Sequence, residues 1–246
     1  MKNKNEILER ELSISVLANS KTWEEKYKRK VLKILRQSGY FDSLIEKITK
    51  KKEINKVILE ECNVYSNPSY VYFKGNGKIT FENGECFTVY PDIPFALYSQ
   101  SISKIMSFEI EDAKIMTVEN LTSFNRIKES ETFFIFLSGY HNSVKQKFLE
   151  KIYQQNSNKT YFHFGDIDPD GFFILENLKK KTHIDFNQYK MGIEELEKYS
   201  TFSRTLEDND IIKAKSLIEK GKFVEIMNYM LEKNIKLEQE IISCKE

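Results

Sequence analysis

Three short apolar runs, separated by stretches of helical length, set the fold class of this chain. Lys114-Ile115-Met116-Thr117-Val118, Thr132-Phe133-Phe134-Ile135-Phe136-Leu137 and Thr160-Tyr161-Phe162-His163-Phe164 are rich in β-branched and aromatic residues and too short for buried helices. Between the last two, Asn142 to Gln155 places Val144, Phe148, Leu149 and Ile152 on one helical face, and a helix is predicted over 121–130. Strand–helix alternation of this length means right-handed crossovers and a mostly parallel sheet flanked by helices. The three strands then run the same way. The residues just past the end of each strand gather at one carboxyl edge, where ligands bind in open α/β sheets.

Those residues are Glu119, Gly139 with His141, and the run Gly165-Asp166-Ile167-Asp168-Pro169-Asp170-Gly171. Glu119 and Asp166 are 47 positions apart, yet neighbouring strands would make them neighbours in space. Pro169 and Gly171 force a tight loop, and Phe172, Phe173, Ile174, Leu175 and Leu178 open a helix. Like charges at Asp166, Asp168 and Asp170 repel, and a hard divalent cation such as Mg²⁺, Mn²⁺ or Ca²⁺ is the simplest thing to hold them together. A solvated acidic turn is the plainer alternative, since Asp, Pro and Gly are ordinary turn and cap residues. An EF-hand loop would need Glu at its twelfth position, where Asn177 stands, and a helix before it. A phosphatase-type Asp-x-Asp would follow the first strand of its domain.

The rest of the 246 residues suit one large domain, or one domain with an appendage. Residues 1–56 carry 15 Lys/Arg against 8 Asp/Glu and read as three amphipathic helices, over 6–19, from Thr22 in a capping box with Glu25, and from Asp42. Such a basic layer suits a phosphate backbone as well as water. Residues 57–110 read as a small β meander, with Tyr70–Phe73 and Lys78–Phe81 on either side of Lys74-Gly75-Asn76-Gly77. Ile184 to Met191 is a further candidate strand, and 207–221 and 222–246 read as helices. The odd, scattered Cys62, Cys86 and Cys244 give neither a disulfide framework nor a metal motif, which points to a reducing cytoplasm. No signal-length or membrane-length apolar run is present.

Strand-Glu, strand-Gly, strand-Asp-x-Asp on a parallel sheet resembles the Toprim pattern of topoisomerases, primases and several nucleases. Beyond that general pattern, the chain resembles the C-terminal domain of JetD, the nuclease subunit of the Wadjet plasmid-defence system, which is related to the topoisomerase VI A subunit. The resemblance lies in Thr117-Val118-Glu119-Asn120-Leu121-Thr122-Ser123-Phe124, Gly139-Tyr140, Gly165 to Gly171 and Leu237-Glu238-Gln239-Glu240, and covers roughly residues 57–246. It implies a JetD-like Toprim domain over 57–246, preceded by the basic helical segment read above over 1–56. That domain would comprise a meander at 57–110, a core at 111–191 and C-terminal helices at 192–246. JetD-like proteins normally carry a longer N-terminal part with a winged-helix domain.

The resemblance implies a metal-dependent DNA endonuclease using Mg²⁺ or Mn²⁺, with Glu119, Asp166 and Asp168 as its acidic residues. Asp170 is a further metal candidate, and Glu238 and His141 are additional ones. Lys145, Lys147, Lys179, Lys180 and Lys181 are candidates for phosphate contact. His163, inside an aromatic strand, reads as a packed core residue. Expected partners are DNA, condensin-like Wadjet subunits and a second copy of the chain, without a membrane. The other reading is a catalytically idle Toprim-like module that binds DNA or a partner.

Overall fold

The computed structural model describes residues 6–45, 54–67, 69–137 and 143–245, in two compact units. One holds the described residues up to Tyr70, with Tyr98–Gln100 and 143–144, and the other holds Val71–Leu97, 101–137 and 145–245. Lys50, Lys51 and Lys52, Gly139, Tyr140 and His141 lie outside the described residues.

The first unit is helical. A short strand β1 (Ile7–Leu8) leads into α1 (Glu9–Leu17), and after a π-helical turn at Trp23–Tyr27 come α2 (Lys28–Gln37), α3 (Asp42–Ile45), α4 (Ile54–Glu61) and β2 (Val64–Tyr65). β1 and β2 pair in parallel. Trp23, Leu32, Phe41, Ile58 and Leu59 form its core. The capping box expected at Thr22 does not form, because Thr22 is itself helical and makes no side-chain cap. The carboxamide of Asn19 accepts instead, from the N–H groups of Lys21 and Thr22. Glu9 is the polar centre of this unit. Its buried carboxylate accepts from Trp23 Nε1 at 2.8 Å, Lys28 Nζ at 2.9 Å and Ser66 Oγ at 2.6 Å. Burial alone would push its pKa up, but these donors outweigh burial and hold it below the ordinary value.

The second unit is an α/β structure around a six-stranded sheet. Its strands are β3 (Tyr70–Lys74), β6 (Phe95–Tyr98), β8 (Lys114–Val118), β9 (Thr132–Phe136), β10 (Thr160–Phe164) and β11 (Asn187–Gln188), in the order β11-β10-β8-β9-β3-β6. β11, β10, β8 and β9 are mutually parallel and β3 is antiparallel to β9. Every residue of β9, and every residue of β8 after Lys114, is buried, as expected of central strands covered on both faces. A smaller antiparallel sheet has the order β5-β4-β7, from β5 (Cys86–Val89), β4 (Gly77–Phe81) and β7 (Ile105–Ile110).

The Lys74–Gly77 turn therefore does not make a hairpin of its flanking strands: β3 joins the large sheet and β4 the small one. Gly75 explains the sharp parting. It adopts φ +145°, and a Cβ there would collide with the Phe133 backbone. Phe73, Phe108, Phe133 and Phe148 pack with ring centroids 5.4 to 5.8 Å apart, joining β3, β7, β9 and α6 (Ser143–Gln155) into one core. The edge of β7 is covered by side chains of the turn after α6. Asn156 accepts from Ile110 N and donates to Phe108 O.

Helices complete the layers: α5 (Leu121–Arg126), shorter than predicted, α7 (Pro169–Thr182), α8 (Ile193–Lys198), α9 (Asp208–Glu219), α10 (Val224–Lys233) and α11 (Gln239–Lys245). The candidate strand over 184–191 reduces to β11. The helix expected over 222–246 is broken in two. Asn234 takes a left-handed conformation, and Lys236 and Leu237 bridge as extended backbone to Arg204 and Ile167. Among the described residues no helix is long and apolar enough to cross a membrane.

Trp23 is the sole tryptophan and reports on the first unit alone. Replacing Glu9→Ala strands an indole N–H and an ammonium, and should cost about 2–3 kcal/mol. The loss should appear as an earlier urea transition in Trp23 fluorescence.

Candidate metal and nucleic-acid site

The carboxyl edge of the parallel strands gathers the acidic residues as their positions in sequence require. β8 ends at Val118, and the Glu119 N–H donates to Phe164 O at 3.0 Å, carrying the β8–β10 ladder one residue further. Asn120 then caps α5, accepting from Thr122 N at 2.7 Å. β10 ends at Phe164, and Asp166 begins the acidic loop. Asp168 is the N-cap of α7: its backbone is extended, its side chain accepts from Gly171 N at 2.7 Å, and Pro169 takes the first helical position. Gly171 has no side chain for a steric reason, since a Cβ would collide with the Asp166 backbone carbonyl.

The loop is held from the far end of the chain. Ile167 and Leu237 exchange backbone hydrogen bonds at 2.9 and 3.0 Å. That pairing sets Gln239, which is fully buried, against both strand ends. Its N–H donates to Asp166 Oδ1 at 2.8 Å, its Nε2 donates to Phe164 O at 2.8 Å, and its Oε1 accepts from Asn120 N at 2.9 Å.

Each carboxylate feels the others. Burial, then the charges of Asp166, Asp168 and Asp170, push Glu119 well above the ordinary carboxylate range against one opposing backbone hydrogen bond. Burial followed by the Asp166 charge raises Asp168 to about 7. Burial raises Asp166 to about 6, partly offset by the Gln239 N–H. Glu119 Oε2 is buried without a hydrogen-bond partner among the described residues. Asp170 differs from the rest, because it is ion-paired with the buried Lys213 of α9. Lys236 stands nearby on Asp210, at 2.6 Å.

An all-oxygen, mutually repelling set with an unsatisfied buried oxygen fits a hard divalent cation in chemistry. In arrangement it is not a closed cage: among the described residues no three His, Cys, Asp or Glu side chains converge closely enough to hold a metal.

The lysines expected near phosphate are distributed differently. Lys145 is buried, donates to Leu137 O and lies 5.3 Å from the Phe136 ring, so its charge is not presented to solvent. Lys147 is exposed in the first turns of α6. Lys179, Lys180 and Lys181 occupy the last turn of α7, roughly 15–20 Å from the acidic N-cap by helical rise. They belong to the opposite edge of the sheet. Glu238 is half-exposed and paired with Arg204 rather than turned into the cluster. Sequence reasoning does not single out Gln239, Lys213 or Lys236. The Leu237–Glu240 block is the only signal for Gln239, and it draws attention to the charged residue beside it.

The family model for the C-terminal part of Wadjet protein JetD matches residues 91–246. The chain belongs to that family. It is also 25% identical over 245 residues to the Wadjet protein JetD of Bacillus cereus (strain Q1), covering 96% of this chain and 57% of that protein. The chain thus spans little more than half the length of the JetD relative. The similarity also takes in the N-terminal helical unit, beyond the stretch read from motifs.

The geometry makes two tests possible. The folded carboxylates hold protons that the unfolded chain has released, so between about pH 4 and pH 7 the metal-free fold should weaken as pH rises. In chelator, Tm should fall across that window. Asp168→Asn keeps the cap acceptor but removes a charge, and should flatten the fall and raise Tm at pH 8 by on the order of 3 °C. Gln239→Leu leaves Asn120 N–H without its acceptor and takes one of two donors from Phe164 O, which keeps the Glu119 N–H, and should lower stability by about 1–3 kcal/mol in urea denaturation.

Proposed function

We propose that the chain is a metal-dependent DNA endonuclease that hydrolyses phosphodiester bonds at the Glu119/Asp166/Asp168 edge, acting in Wadjet-type defence against plasmid or other foreign DNA. The observation that carries this reading is the compression of these carboxylates onto one sheet edge, raising one another's proton affinity, in a chain of the JetD C-terminal family. The nearest cations only partly relieve this crowding: Lys213 and Lys236 make their ion pairs with Asp170 and Asp210, and Lys236 also draws Asp166 down from a distance.

Asp166 and Asp168 are the residues that would hold Mg²⁺ or Mn²⁺, with Glu119 completing the set. A bound divalent cation would supply Lewis-acid relief of charge on the phosphodiester. Glu119, whose proton affinity burial and the neighbouring Asp charges raise, would accept the proton of the attacking water. Gln239 fixes Asp166 from the backbone side. Asp170, already answered by Lys213, serves to anchor the start of α7 and α9 rather than to bind metal. Exposed Lys147 and the exposed Arg29, Lys30, Lys33 and Arg36 of α2 are the phosphate contacts this reading favours. A cytoplasmic setting, a second copy for cutting the second strand, and condensin-like Wadjet subunits for delivering DNA belong to the same proposal.

One observation favours a second reading. The carboxylates do not converge into a cage, as expected if the module only binds DNA or a partner.

Supercoiled plasmid with Mg²⁺ or Mn²⁺ separates the two. The nuclease reading expects nicking or linearisation by the chain, alone or with its partner subunits, and a loss of at least 100-fold in Glu119→Ala and Asp166→Ala. It also expects Mn²⁺ to raise Tm of the unmodified chain and not of Asp166→Ala. DNA retention without cutting, equal in these variants and the unmodified chain, supports the idle module.

A further inference from the structure

Two buried polar atoms at the carboxyl edge have no hydrogen-bond partner among the described residues, Glu119 Oε2 and His163 Nε2, and they face the same small space. The sheet register brings them there. Thr117 on β8 and His163 on β10 are paired neighbours, so their side chains stand on one face. Continuing that register sets Glu119 beside Gly165 on the same face. Gly165 contributes no side chain, and both neighbours turn toward the gap. A Cβ on Gly165 would lie 2.8 Å from Glu119 Oε2 and 3.0 Å from His163 Nε2.

The proton inventory settles what each atom offers. Thr117 Oγ1 donates to Phe162 O at 3.2 Å and lies 2.9 Å from His163 Nδ1. A hydroxyl has one proton, and here it goes to the carbonyl, so Oγ1 accepts from Nδ1–H. The ring is fully buried, and with its one proton spent at Nδ1 on Oγ1 the neutral imidazole leaves Nε2 bare. Nε2 is then a lone-pair acceptor. Glu119 Oε2 faces the same gap without a partner, and one water molecule, which both donates and accepts, satisfies Nε2 and Oε2 together in either protonation state of the carboxyl group.

We infer that a single water molecule bridges Glu119 Oε2 and His163 Nε2, and that His163, oriented by Thr117, is a positioning residue for the Glu119 carboxylate. The water and the tautomer stand on the geometry alone, and only the consequence for cleavage rests on the nuclease reading. His163 touches no substrate. It fixes which way one Glu119 oxygen faces, and Gly165 is the residue that leaves room for the arrangement.

Imidazole ¹⁵N chemical shifts read the tautomer directly, and the chain has only three histidines, with His163 assigned by the signal missing from His163→Gln. The expected result is Nδ1–H with a hydrogen-bonded Nε2, shifted in Thr117→Val; an Nε2–H tautomer overturns the inference. A high-resolution crystal structure should show solvent within about 3.2 Å of both atoms; a dry gap overturns it. In plasmid cleavage, His163→Phe should lower kcat on the order of 10- to 100-fold, the usual effect of losing an outer partner of a ligating group, with KM and Tm unchanged. His163→Gln, which restores an acceptor at similar reach, should recover most of it. Wild-type kcat in His163→Phe removes the positioning role. If the unmodified chain cuts no DNA with any metal or partner, the nuclease reading falls, and the ¹⁵N shifts and the electron density still decide the bridging water.

Discussion

Gln239 holds together what electrostatics would push apart. Its carboxamide spans the ends of β8 and β10, giving a proton to Phe164 O and taking one from Asn120 N, while its own backbone N–H points at Asp166. The bond to Phe164 O is buried and the other two are partly so, which makes each stronger than its counterpart at a surface. The Ile167–Leu237 pairing delivers Gln239 to this place. A sheet edge that concentrates negative charge thus depends on a neutral side chain for its shape, with cations kept to the rim.

That choice has an energetic logic. A lysine among Glu119, Asp166 and Asp168 would relieve the repulsion and fill the site with its own charge. The buried Lys213 and the partly exposed Lys236 instead pair with Asp170 and Asp210, which ties α9 to the start of α7 and to the extended segment at Lys236–Leu237. The strain of the crowded carboxylates is offset by a large apolar core beneath them, where Met116, Val118, Phe164, Ile167, Phe172, Met227 and Leu237 are all buried. Stability comes from under the edge and is given up at the edge, the usual distribution where a site must attract a ligand.

Much of this was legible in the amino-acid order. β8, β9 and β10 announce themselves because central parallel strands are apolar on both faces, and the parallel crossovers then place Glu119 beside the Asp loop whatever the loops do. The β3/β4 parting was not legible, since Tyr70–Phe73 and Lys78–Phe81 carry the pattern of a hairpin and only the close approach of Gly75 to Phe133 separates them. The break at Asn234 was hidden for the same reason: helical periodicity runs through it, and the extended pairing that interrupts it is made with Ile167 and Arg204, far away in sequence. Lys145 looked like a surface cation because sequence shows its charge and not the Leu137 carbonyl beneath it. Gln239 is neutral, and nothing local distinguishes it from any polar residue at the start of a helix.

The distance along the chain between Asp166 and Gln239 also orders events in time. The strands and the acidic loop emerge from the ribosome well before the segment that clasps them, with 73 positions between Asp166 and the N–H that holds it. During that interval a nascent chain displays the carboxylates on an edge that has no clasp. The arrangement described here can close only once α9 and α10 have been made and folded back. The clasp on the acidic edge is in this way set by the order in which the chain is made, and the delay is written into the topology.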